Sequence, residues 1–105
     1  MKLNEAKRKV KKIIGAKARR CYEASETIYH LVGGKEAGYK PASIWHEGIS
    51  HWYLVGPNNQ IVDITVDQFD TRPNYSQGCG RGFLTKKPSK KAAKLIAEVI
   101  GNGSR

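Results

Sequence analysis

The apolar spacing of this chain changes period twice, and that change dictates the fold class more firmly than any other feature. Leu3, Ala6, Val10, Ile13 and Ile14 recur at intervals of three and four, the stripe of an amphipathic helix whose remaining faces are lysine and arginine. Gly15 interrupts it. A second helical stripe, Cys21, Ala24, Ser25, Ile28 and Leu31 or Val32, predicts a helix from residue 16 or 17 to 32, ended by Gly33-Gly34. From Ala42 the period falls to two. Residues 43–46 and 50–55 read as strands, with Gly48 and Ile49 as a break or bulge between them. Gly56-Pro57-Asn58-Asn59 is a turn, and residues 60–66 alternate as a third strand. Trp45, Trp52, Tyr53 and Phe69 read as core aromatics. Residues 68–88 hold no period and carry Pro73, Gly78, Gly80, Gly82 and Pro88, so they form a long loop, pinned by Phe83 and Leu84. Ser89 caps a last helix over 90–100, with Ala92, Ala93, Ile96, Val99 and Ile100 inward, and 102–105 is a frayed tail. Helix, antiparallel strands, helix gives an α+β fold: helices on a small sheet of about three strands. With 105 residues the chain is one domain.

Charge narrows the partners. Residues 1–20 hold nine basic and one acidic side chain, 81–105 seven and one, and 21–80 three and seven, so a basic collar surrounds an acidic centre. A net charge of +10 attracts polyanions or acidic surfaces. No apolar run reaches membrane length and no apolar segment follows the basic start, so neither membrane insertion nor secretion is expected. Two cysteines fit a reducing cytoplasm.

The centre holds the residues that suit chemistry. Cys21 falls in the first turns of a helix, where the dipole and the neighbouring Arg19 and Arg20 favour the thiolate. His51 on the second strand suits a general base and acid, and Asp63 on the third suits the group that orients its ring. Their approach depends on register. If partners in the hairpin sum to an even number, as with Gly56 opposite Gln60, His51 and Asp63 share a face; an odd sum separates them. The turn leaves both open.

Taken together, C-Y-E-A-S-E around Cys21, S-H-W-Y-L-V around His51 and I-V-D-I-T around Asp63 resemble the papain-like and transglutaminase-like cysteine superfamily in a minimal form. The last two pieces look most like the transglutaminase-like branch. The resemblance implies a papain-like core and a cysteine-dependent hydrolase or acyltransferase acting on an amide or thioester bond of a protein or small amide substrate, without cofactor. The sequence departs from that pattern: no Gln shortly precedes Cys21, and Tyr22 stands where many papain-like proteases have Trp. The oxyanion donor is therefore open between the backbone N–H of Cys21 and the Trp52 indole. A single lobe provides no deep peptide cleft. Gly82-Phe83-Leu84-Thr85 with Pro88-Ser89-Lys90 also resembles small uncharacterised phage and bacterial proteins.

Simpler readings stand beside these. Cys21 fits a small core residue, and His51 and Asp63 fit a satisfied strand pair, with Thr65 another partner for Asp63. His46 and Glu47 are a rival base and carboxylate, ranked lower. Cys79 reads as incidental. Cys21, His46, His51 and Cys79 have no zinc-finger spacing, so no metal is expected. The alternative function is a basic, non-catalytic nucleic-acid-binding protein of phage or mobile-element origin. There Arg81, Lys86, Lys87, Lys90 and Lys91 would join the lysines of residues 2–12 on phosphates, with Tyr75 or Phe83 as stacking platform.

Overall fold

The computed structural model describes residues 1–83 and 86–103, with side chains through residue 101. Its elements are α1 (Leu3–Ile14), α2 (Cys21–Leu31), β1 (Lys40–His46), β2 (Ile49–Val55), β3 (Ile61–Val62), β4 (Cys79–Gly80) and α3 (Lys90–Gly103). The fold is α+β: three helices and an antiparallel sheet in the order β3-β2-β1-β4.

The helices bury one face of the sheet. Ala6 and Val10 of α1, Ala24 and Ile28 of α2, and Leu95 and Val99 of α3 close on Tyr39, Leu54 and Val62. Leu3, Ile13 and Ile14 complete the α1 stripe at partial burial. The opposite face carries Ala42, Ile44 and Tyr53, covered by Val55, Ile61 and Tyr75. Alternation along β2 therefore sends Tyr53 to one layer and Leu54 to the other, as strand geometry requires. Glu26 is 1 % exposed on α2 and is fully partnered, accepting from Ser89 N at 3.0 Å and Ser89 Oγ at 2.6 Å. The Ser89 hydroxyl in turn accepts from Ala92 N at 3.2 Å, so the cap of α3 is moored to α2.

Several boundaries differ from the sequence reading. The second helix starts at Cys21, four or five residues late, because the chain after Gly15 includes Lys17 in a left-handed conformation (φ 56°). β1 starts at Lys40, and its link to β2 is a two-residue turn, Glu47-Gly48, with φ of 47° and 82°. β3 is two residues long, not seven. The stretch read as loop over 68–88 contributes β4, so the sheet has four strands where three were expected. In α3 the buried positions are Ala92, Leu95 and Val99; Ile96 is half-buried, Ala93 is exposed and Ile100 is 56 % exposed. That helix runs to Gly103, into the segment read as frayed, whereas Leu84, Ser104 and Arg105 lie outside the described residues. Trp45, read as core, is 73 % exposed. Among the described residues no helix is long and apolar enough to cross a membrane.

Candidate active site

Register decides whether His51 meets Asp63, and the register has the even sum: Leu54 pairs with Val62 and Val55 with Ile61. The Gly56 N–H closes the turn on Gln60 O at 2.8 Å. Asp63, one residue past β3, returns to the face of His51, and the ring Nε2–H donates to Asp63 Oδ2 at 2.7 Å. Both side chains are out of solvent, at 0 % and 4 % exposure. Two further hydroxyls fix the carboxylate: Tyr75 Oη donates to Oδ2 at 2.6 Å and Thr65 Oγ1 to Oδ1 at 3.4 Å. A buried carboxylate with three donors is held in one orientation.

Nε2 being committed, Nδ1 is the ring nitrogen left for the thiol. Cys21 is the first residue of α2, half-exposed, and close enough to His51 for each to shift the proton affinity of the other. Burial pushes the Cys21 thiol up. The His51 hydrogen bond, the backbone N–H groups of Trp52 and Tyr22 and the charge of His51 outweigh burial and leave the thiol below its usual range. The pair is reciprocal: burial works against a charged ring, yet Asp63 and Cys21 raise His51 to about 9. Each group thus favours the charged form of the other. The first N–H groups of α2 have no intrahelical acceptor and no side chain caps them, and that of Tyr22 favours the thiolate.

A loop closes over the ring. Phe69 lies edge-on to His51 with centroids 4.7 Å apart, and Gln68 Nε2 sits 3.4 Å from His51 Nδ1 while donating to Thr65 O at 3.1 Å. The rivals His46 and Glu47 serve this loop. Glu47 accepts from Thr71 N at 2.8 Å, Thr71 Oγ1 at 2.7 Å and Asp70 N at 3.3 Å, and the His46 ring packs on Phe69 at 4.8 Å.

Cys21, His51 and Asp63 are thus brought together. Trp52 contributes to Cys21 through its backbone N–H, while its indole packs on Tyr22 at 4.7 Å and Phe83 at 5.9 Å. Tyr75 is not a free stacking platform, since its hydroxyl holds Asp63 and its ring packs on Tyr53 at 4.9 Å. Phe83 likewise packs on Trp52, Tyr22 and Tyr29. The basic candidates separate into two places. Arg81 and Lys86 line a cavity beside β1 and β4, and Lys91 lines a groove with Arg20 and Lys94. Lys90 opens α3 at the surface; Lys87 is exposed. Cys79 is an exposed free thiol on β4. No group of three or more metal-ligating side chains is clustered to hold an ion among the described residues. Sequence reasoning missed Gln68 and gave Tyr75 and Phe69 other roles, because what they do at the site depends on a loop path that carries no periodic signal; Thr65, two residues from Asp63, was within reach. Compared with protein-family models, curated proteins and solved structures, the chain matches none.

Proposed function

We propose that this protein is a small cysteine-dependent hydrolase or acyltransferase of the papain-like or transglutaminase-like kind, acting on an amide or thioester bond. The observation that carries the reading is the buried His51 to Asp63 hydrogen bond of 2.7 Å together with a half-exposed thiol at a helix start whose proton affinity His51 lowers. The Cys21 thiolate attacks the carbonyl carbon, and the carbonyl electron pair moves to oxygen, stabilised by N–H groups at the uncapped start of α2. The intermediate collapses as the His51 imidazolium gives its proton to the leaving nitrogen or sulfur. Neutral His51 then takes a proton from water or an acceptor, which attacks the thioester and restores the thiolate. Asp63 keeps Nε2 occupied throughout, so that Nδ1 does the transfer.

The test is intact-mass detection of a covalent acyl adduct on incubation with a panel of acyl thioesters and activated amides. An adduct on Cys21 that is absent from His51→Ala supports the reading. A protein that forms no adduct at Cys21 with any of them, and whose Cys21 alkylates no faster than Cys79, is a structural thiol.

A second reading, a nucleic-acid binder, is favoured by two adjoining grooves that share Ile13 and are lined by Arg8, Lys9 and Lys12 in one and Arg20, Lys91 and Lys94 in the other. Glu23 and Glu98 lie in the second groove, and Glu23 holds Arg20 at 2.7 Å, which lowers its free charge. DNA or RNA affinity with a log-log salt slope of about −0.7 to −0.9 per phosphate contact would support it.

A further inference from the structure

A cavity of about 570 Å³ opens on the side of the sheet away from β3. Its volume lies in the range of ligand pockets. Four cationic side chains line it, Lys35, Lys40, Arg81 and Lys86, and no carboxylate does among the described residues. None of the four makes an ion pair with a described residue. Arg81 is aimed by its own backbone and side chain, with N–H on Pro41 O at 2.9 Å and Nε on Ser43 Oγ at 2.8 Å, which leaves its terminal nitrogens for another partner. Three rings, Tyr29, Tyr39 and Phe83, supply an apolar floor.

Two observations relate this cavity to an extended ligand and to Cys21. β4 is an edge strand of the sheet, and Gly80 of that strand lines the cavity. A Cβ on Gly80 would meet nothing within 4 Å, and the residue does not adopt a positive φ, so neither packing nor conformation in this chain calls for glycine there. An open backbone on an edge strand is what a peptide needs to add by main-chain hydrogen bonds. Phe83, part of the floor, stacks on Trp52 at 5.9 Å and meets Tyr22 edge-on at 5.5 Å, the chain neighbours of His51 and Cys21.

We infer that this cavity and the β4 edge bind an extended acidic peptide, with an apolar side chain on the Tyr29, Tyr39 and Phe83 floor and flanking carboxylates on Lys35, Lys40, Arg81 and Lys86. The inference rests on the acyl-transfer reading only for calling that peptide the substrate. Charge selects it: four cations without an ion pair among the described residues raise the encounter rate with acidic chains and reject basic ones. A single lobe suffices, because an edge strand needs no opposing wall.

The experiment uses the full chain with Cys21→Ala, so that binding is read without turnover. The probe is a fluorescein-labelled pentapeptide with phenylalanine between two pairs of glutamates, measured by fluorescence polarisation against the same peptide with glutamines. At least a tenfold preference for the acidic peptide, lost on Lys40→Gln with Arg81→Gln and weakened by Gly80→Val, is expected. Circular dichroism of each variant confirms the fold. Equal binding of both peptides, or binding indifferent to the cation substitutions, overturns the inference; so does displacement by ATP at lower concentration than by unlabelled peptide, which would make the cavity a nucleotide site. The wild-type protein, offered the same two peptides as C-terminal thioesters, separates the readings. Acidic selectivity in binding with no turnover of either thioester keeps the cavity and counts against acyl transfer.

Discussion

Asp63→Asn perturbs the site at the atom on which its charge depends. Asparagine keeps the size of the side chain and an oxygen to accept from His51 Nε2, now 2.7 Å from Asp63 Oδ2, and removes only the negative charge. The rise of His51 from 6.5 to about 9 is a net preference for imidazolium of about 3 kcal/mol, won against burial by Asp63 and Cys21. Losing the Asp63 share lowers the His51 value, and through the coupled pair raises that of Cys21. For each unit by which the thiol rises, the thiolate fraction near pH 6 falls about tenfold, while the intrinsic nucleophilicity of that thiolate grows about threefold. Iodoacetamide alkylation of Cys21 should therefore slow by about threefold per unit near pH 6 and quicken by about threefold per unit near pH 10, where both proteins are thiolate. The two pH–rate profiles cross. Peptide mapping by mass spectrometry reads the rates, with exposed Cys79 as internal reference. A profile identical to wild type, or one displaced in the same direction at every pH, would refute the argument, since a change in exposure cannot make the curves cross.

The remaining predictions concern the supports. Glu26→Ala removes a 1 % exposed carboxylate that accepts twice from Ser89, and should cost about 3 kcal/mol in urea unfolding, with Glu26→Gln near half of that; a loss under about 1 kcal/mol would mean the bridge is idle. Tyr75→Phe deletes a 2.6 Å bond to Asp63 and should cost about 1–2 kcal/mol while moving the Cys21 alkylation profile toward that of Asp63→Asn; an unmoved profile would make Tyr75 mere packing. In Cys21→Ser only His51 of the pair titrates near neutrality. Asp63 still raises its folded value, though less than in the wild type because the Cys21 share of the rise is gone, so its contribution is complete below about pH 6.5 and is lost as pH climbs through that raised value, and stability should fall over that window. His51→Gln in the same background should flatten the slope, and a slope that survives belongs to another group.

What could be read in advance was whatever repeats. The α1 stripe follows from a period of three to four and the cap at Ser89 from its residue type, while the period of two placed His51 and Asp63 each on one face of its strand and left to the register whether those faces coincide. Features that break a period could not be read. Glu26 looks like a solvated position on α2 and is buried, because its partner, the start of α3, lies 63 residues away. The α3 stripe was placed on Ile96 and Ile100, since both Leu95 and Ile96 are apolar, and only the helix it packs against selects Leu95. Tyr75 lay in a stretch without pattern, and its path was set by Asp63.

The start of α2 and the end of β3 are the two boundaries that the sequence placed worst, and a single exchange of partners accounts for both. In an antiparallel ladder alternate residues direct their N–H groups to the same neighbour. Gly56 N–H bonds to Gln60 O, so Leu54 and Trp52 also point toward β3, and the register carried on would set Trp52 opposite Ile64. The pairing stops at Val62. Ile64 O, the acceptor Trp52 would have used, takes Lys11 Nζ of α1 at 2.8 Å, and the same ammonium holds Asp67 Oδ1 at 2.8 Å. Asp67 Oδ2 then accepts from Lys17 N at 2.9 Å, fixing the left-handed residue between α1 and α2. One lysine thus pulls the chain after Asp63 off the sheet, and the carboxylate beside it holds the linker that delays α2 until Cys21. The vacated edge leaves the Trp52 N–H for the thiol. A regular third strand would have satisfied that N–H with backbone and left Cys21 without one of the donors that lower it. The local irregularity falls at the candidate nucleophile, where departures from regular structure are expected to concentrate.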